Sequence, residues 1–186
     1  MDRRLGNFLL GACAFATAHA AQRMIAPFAG LGLTLHVAVL SASLIGFALG
    51  CLLGAGSRPA ERLSPLGGRI LLGAAVLTLV LTALRRPLLE SLGQTELRLA
   101  VTVAAALFTG LPCAGIGFAF AEGQADARGA DSMRGLAWLL AGAAFAAPLT
   151  GYLLVPRFGL TITLTVIAAL EAVSDGRIRL PRRWPV

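Results

Sequence analysis

Leu33-Thr-Leu-His36-Val-Ala-Val-Leu40-Ser-Ala-Ser-Leu-Ile-Gly46-Phe-Ala-Leu-Gly50-Cys-Leu-Leu-Gly54 runs for 22 residues without a carboxylate, an arginine or a proline. About 20 such residues in a helix cross a ~30 Å hydrocarbon core. Five further apolar blocks flank this one: Leu5–Ala21, Ile70–Leu84, Leu97–Ala121, Leu136–Val155 and Leu160–Val173. Two of them, Ile70–Leu84 and Leu160–Val173, are short for a span and need flanking help. None shows the two-residue alternation of an outer-membrane barrel. The hydrophobic fraction is 57% and the charged fraction 13%, with a mean hydropathy of +0.80; that balance excludes an ordinary soluble domain. The expected fold is therefore an all-α integral membrane bundle of about six transmembrane helices joined by short loops. Residues 1–176 form that single domain, and 177–186 form a basic cytoplasmic tail.

All sixteen basic residues are arginine, and the net charge is +7. They are spread over loop ends rather than gathered on one face, so they read as topology signals and not as a nucleic-acid surface. With six spans, eleven arginines fall on the side of both termini and five (Arg23, Arg85, Arg86, Arg98, Arg157) on the other. The excess marks the cytoplasmic side, which places both termini in the cytoplasm and the chain in the cytoplasmic membrane of a bacterium. Arg3 and Arg4 ahead of an apolar run ending in Ala18-His19-Ala20 imitate a signal peptide, and Leu10-Gly11-Ala12-Cys13 imitates a lipoprotein box. Removing that block leaves five spans and disturbs the arginine parity, so it is read as a retained signal anchor.

Helix breakers mark the boundaries between blocks. Pro27 with Gly30 to Gly32 separates the first two. Arg85-Arg86-Pro87 through Thr95 is a longer connection with a surface-lying turn, and Glu122 to Asp131 is a solvated loop. Pro156-Arg157-Phe158-Gly159 is a tight turn of a helix–helix hairpin. Inside the blocks, Gly46, Gly50 and Gly54 share one helix face, where a neighbouring backbone can come close. Gly142 and Gly151 repeat the device in the fifth block, and Pro112 and Pro148 predict kinks. Cys13, Cys51 and Cys113 lie on three different blocks with no metal-like spacing, and buried cysteine acting as a small apolar residue explains them.

Few residues carry chemistry. His19, Gln22 and Arg23 lie close together near the end of the first block and His36 begins the second, which makes these four the candidate intramembrane polar site. The plainer explanation is that Arg23 snorkels to the interface and His19 hydrogen-bonds a neighbouring helix. Two histidines without a third ligand make a poor metal site, so no metal is expected, and no catalytic constellation or phosphate loop is visible. Glu171 is placed at the interface near Asp175. Arg179, Arg182, Arg183 and Trp184 in the tail are candidate lipid or partner contacts, with Trp184 at interfacial depth.

Three stretches resemble the membrane domain of fused, spermidine-synthase-like bacterial proteins. Arg23-Met-Ile-Ala26-Pro27-Phe28-Ala-Gly30 resembles that family's R-x-x-A-P-x-x-G turn and is followed, as there, by a glycine-stepped helix. Gly110-Leu111-Pro112 with Gly117 and Phe120 resembles its L-P-x-x-x-x-G-x-x-F-P helix, and Arg134 through Gly159 its last glycine-rich hairpin. Departures fall at polar positions: Ala18 and His19 stand where an acidic residue is usual, His36 where an aromatic is, Ala121 for a proline and Leu139 for an asparagine. In that family an aminopropyltransferase-like enzyme domain follows the membrane half. The chain stops at Val186 without the glycine-rich loop such a domain needs, so the resemblance implies the membrane architecture without the activity. The expected function is a non-catalytic membrane subunit or scaffold holding another protein subunit, or a second copy of itself, among membrane lipids. No cofactor is expected, although the glycine faces leave room for a bound lipid, pigment or quinone. The alternative is a small-solute transporter, for polyamines or cations, acting as a six-helix unit or a dimer.

Overall fold

The computed structural model describes residues 3–30, 32–56, 66–92, 96–124 and 130–174. Those residues are almost wholly helical: α1 (Arg3–Ala29), α2 (Leu33–Gly56), α3 (Leu66–Ala83), α4 (Arg85–Leu92), α5 (Leu97–Ala105), α6 (Leu111–Gln124), α7 (Ala130–Pro148) and α8 (Val155–Ser174). Two π-wound stretches, π1 (Ala106–Gly110) and π2 (Leu149–Leu154), join α5 to α6 and α7 to α8. Leucine and alanine supply the helix propensity. Threonines are tolerated in the apolar runs because their hydroxyls donate to the carbonyl one turn back, as Thr78 does to Ala74, Thr82 to Thr78 and Thr109 to Ala105.

Contacts between helices fix their directions. Gly46, Gly50 and Gly54 of α2 meet Gly110, Ala114 and Phe118 in turn, so α2 runs parallel to α6. Gly142 meets Phe8 and Ala12, and Gly151 faces His19, so α7 runs parallel to α1. On α3, Gly67 lies by Glu122 and Ala74 by Gly115, which makes α3 antiparallel to α6. Arg85, just past α3, reaches Thr161, and Cys13 reaches the Ile167 carbonyl, so α8 returns antiparallel to both α3 and α1. The six helical passes therefore alternate between an end A (near residues 4, 56, 66, 124, 130 and 174) and an end B (near residues 29, 33, 84, 97 and 159).

By length and composition, three continuous helices are apolar enough to cross a membrane: Leu33–Ala55, Leu97–Gln124 and Ala130–Glu171. The pair α3–α4, bent by 69°, makes a fourth if it is one broken span. The expected six spans are corrected to that number. The first block falls short because Asn7, His19, Gln22 and Arg23 dilute α1. The fifth and sixth blocks form one helical run of 42 residues, broken only where Gly159 takes φ 78° and ψ 169°. That left-handed φ suits glycine and reverses the chain in a single residue. Pro156 lies three residues before that break, inside the continuous helical run. Pro27 likewise lies inside α1, which continues to Ala29 and stops at Gly30 (φ 75°). The kinks expected at Pro112 and Pro148 take the form of π1 before the first proline and π2 after the second. The connection after α3 is the amphipathic α4, lying across end B with Leu89 buried.

The surface of this bundle is apolar. Leu33 is 81% exposed and Tyr152 86%, and Leu44, Leu52, Leu53, Leu72, Leu140 and Ile162 also face outward. Every described charge lies within about two turns of end A or end B. The core contains Ile25, Leu35, Val39, Leu71, Ile116, Leu164 and Ile167.

Candidate functional site

His19 sits nearly three turns from the end of α1, with its ring stacked on Phe15 (centroids 6.5 Å apart, planes 10° apart). Its Nε2 is buried, makes no hydrogen bond among the described residues, and points at Gly151. A Cβ at Gly151 would come within 3.4 Å of that nitrogen. Gly151 thus makes room for an imidazole, and not for a neighbouring backbone as its place in a glycine-rich face suggested. Arg23 and His36 act electrostatically on His19, so three of the four expected polar residues stand near one another. Arg23 and His36 are exposed and Gln22 half-buried. The His36 ring nitrogen Nδ1 lies 3.1 Å from the Gly32 carbonyl, which ties it to the start of its own helix. Exposed Arg23 near end B fits snorkelling; the hydrogen bond expected from His19 to a neighbouring helix is not made among the described residues.

Below His19, toward end A, lies a seam of buried hydroxyls that the sequence reading missed. Cys113 Sγ is 4.0 Å from the Ala14 carbonyl. Because α6 opposes α1, Thr109 of π1 stands one turn nearer end B, level with Thr17. The contact between Gly151 and His19 brings Thr150 of π2 to a similar height. All three threonines are at most 1% exposed, and Thr17 Oγ1 makes no hydrogen bond among the described residues. Helical periodicity alone does not pair these positions; the antiparallel packing does.

Glu171 also departs from expectation. Placed at the interface by its position near the end of a block, it is fully buried at 0% exposure, close enough to Cys13 and Cys113 to act on them electrostatically. Burial follows from α8 packing against both α1 and α3, which its sequence position does not reveal. Cys13, Cys51 and Cys113 are free thiols, with Cys51 donating to the Gly117 carbonyl at 3.3 Å. That agrees with their reading as small packing residues. No group of three metal-capable side chains occurs among the described residues.

The glycine faces expected for helix packing close on this chain's own helices. Cβ atoms built at Gly46 and Gly50 would fall on the carbonyl oxygens of Gly110 and Ala114, and one at Gly142 on that of Phe8. Gly54 is looser: a Cβ built there would come within 2.7 Å of the Phe118 oxygen. At end B, Arg85, Arg86, Thr82, Thr161 and Thr165 line a cleft of about 350 Å³, with the Arg85 guanidinium donating to Thr161 at 3.3 Å. At end A, Arg134 pairs with Asp131 at 3.2 Å, both well exposed; such a pair contributes at most about 1 kcal/mol. Arg179, Arg182, Arg183 and Trp184 lie outside the described residues. No protein-family model, curated protein or solved structure matches the chain.

Proposed function

We propose that the chain is a non-catalytic integral membrane protein whose bundle holds a partner protein in or at the bilayer. The observation that carries this reading is the outward-facing apolar belt between two charged ends. In water that belt would leave unburied a hydrophobic contribution of roughly 25 cal/mol per Å². In this reading the three long apolar helices lie in the bilayer, with the bent α3–α4 pair as the fourth candidate span and α1 packed beside them. Phe15 of α1, Leu72 and Val76 of α3, and Ile162 and Val166 of α8 belong to the same outward-facing apolar belt. The start of α1 and the end of α8 share end A, and in this reading the arginine excess counted in the sequence makes that the cytoplasmic side of a bacterial inner membrane.

The scaffold part of the proposal draws support from the interior, where glycine-to-carbonyl contacts close the passes onto one another. The resemblance to the membrane half of spermidine-synthase-like proteins suggests the kind of partner, a cytoplasmic enzyme domain supplied as a separate chain. The test is purification from native membranes in a mild detergent, with a tag at end A. A companion protein in fixed ratio is the expected result; a lone monomer overturns the proposal.

A small-solute transporter remains the second reading. The Thr17 hydroxyl, without a hydrogen bond among the described residues and beside two π-wound helices, favours it, since π-wound stretches concentrate at functional sites. Proteoliposomes showing no flux of polyamines or monovalent cations would rule that reading out.

A further inference from the structure

We propose that the groove between α2 and the α5–π1–α6 pass binds one anionic phospholipid, with an acyl chain in the groove and its headgroup at Arg98. The groove encloses about 880 Å³, within the range of small-molecule sites. Its floor is built from two ladders of small residues at a spacing of four: Ala38, Ala42 and Gly46 on one side, Ala106, Gly110 and Ala114 on the other. The two helices touch from Ala42 and Gly46 toward end A, and the groove follows their outer edge toward end B. From Leu33 to Leu49 it extends about 24 Å at 1.5 Å per residue, longer than one leaflet's half of a ~30 Å core.

The occupant follows from charge. Arg98 is the only charged residue lining the groove and sits at its end-B mouth with Thr34 and Thr102. No carboxylate pairs with Arg98 among the described residues; Glu96, two residues earlier, is not part of the lining. The Thr34 hydroxyl makes no hydrogen bond there either, so a guanidinium and a hydroxyl donor are both available to a phosphate at headgroup depth. Apolar walls with a single cation at one mouth complement an anionic amphiphile, whereas a partner helix has no need of the charge.

This inference rests on the membrane placement proposed above, and its test reads lipid binding whether or not a partner protein exists. The intact chain in detergent is titrated with phosphatidylglycerol or with phosphatidylcholine of matched chains, and bound lipid is counted by native mass spectrometry. Phosphatidylglycerol should bind about fivefold tighter, the equivalent of ~1 kcal/mol for one arginine near the headgroups. Arg98→Gln should bring the ratio to about one, while Arg157→Gln, at the same end but outside the groove, should leave it unchanged. Filling the floor with Ala38→Phe should lower occupancy by both lipids about tenfold. Ala106→Leu on the facing wall serves as the second blocker if the first variant misfolds. Equal binding of the two lipids, an Arg157→Gln effect matching that of Arg98→Gln, or unaltered binding by both blockers overturns the proposal. So does a dimer that Ala38→Phe splits, which would make a second copy of the chain the occupant.

Discussion

The α2–α6 and α1–α7 pairs are both parallel, and both bring backbones together through glycine, yet they are built differently. Along α2, Gly46, Gly50 and Gly54 meet successive turns of the partner, and Gly117 returns the contact by facing the Phe47 carbonyl. The α1–α7 pair has one reciprocal crossing, Gly11 against Leu139 and Gly142 against Phe8. Beyond it the helices are held by side chains: Phe8 on Phe145 at 5.8 Å, and His19 under Gly151. In lipid, helices gain little from the hydrophobic effect and associate through dispersion and close backbone approach. A ladder accumulates those contacts over three turns, and relieving a clash in it requires one helix to move away along its length. A crossing can be relieved by a pivot.

That difference predicts an order of damage. Gly46→Ala with Gly50→Ala places two methyl groups on carbonyl oxygens and should be the most harmful change. Overpacking costs about 1–3 kcal/mol per site, but a single outward shift of α2 accommodates both methyls, so the double variant should cost less than the sum of the singles. Thermal unfolding in detergent micelles measures this; a strictly additive pair would mean that each clash is absorbed locally and the ladder does not act as a unit. Gly11→Ala should fall at the low end of the same range, about 1 kcal/mol, because α1 can pivot about its crossing. If it unfolds the chain as readily as Gly50→Ala, the distinction between ladder and crossing fails. Phe145→Ala, which removes the ring contact beside the crossing, should cost about 0.5–1.5 kcal/mol beyond lost burial, and the same change should add little once Gly11→Ala has already opened the crossing. A double-mutant cycle reads that coupling.

The ladder was legible because three glycines at a spacing of four define a face without knowledge of the partner. The crossing was not. Gly11 stands in a stretch that imitates a lipoprotein box, and a lone glycine signals close approach only once Leu139 is known to oppose it. The same holds for the polar residues. His19, Gln22 and Arg23 were grouped from their place near the end of the first block and His36 from the start of the second, but Gly151 gives His19 its space from the far end of the chain. Glu171 looked interfacial because it ends a block, and only the packing of α8 on α1 and α3 buries it. The span count erred for a related reason: apolar blocks were counted as separate crossings, although Gly159 joins the last two without a loop and α1 carries too many polar residues to qualify alone. Local chemistry is written in the sequence, whereas depth and opposition are properties of the assembled bundle.

The smallest expected effect tests the contrast from the other side. Gly73 lies in the middle of α3, and a Cβ built there meets nothing within 4 Å. A glycine that serves no close approach is only a cost to its helix, because alanine has the higher propensity and the smaller loss of backbone entropy on folding. Gly73→Ala should therefore stabilise the chain by about 0.5–1 kcal/mol, in the direction opposite to Gly11→Ala and Gly50→Ala. The same thermal unfolding measurement reads it. A destabilising Gly73→Ala would mean that the outer face of α3 is covered by something the isolated chain lacks, and the face around Leu72 and Val76 would then be the place to look for the partner protein.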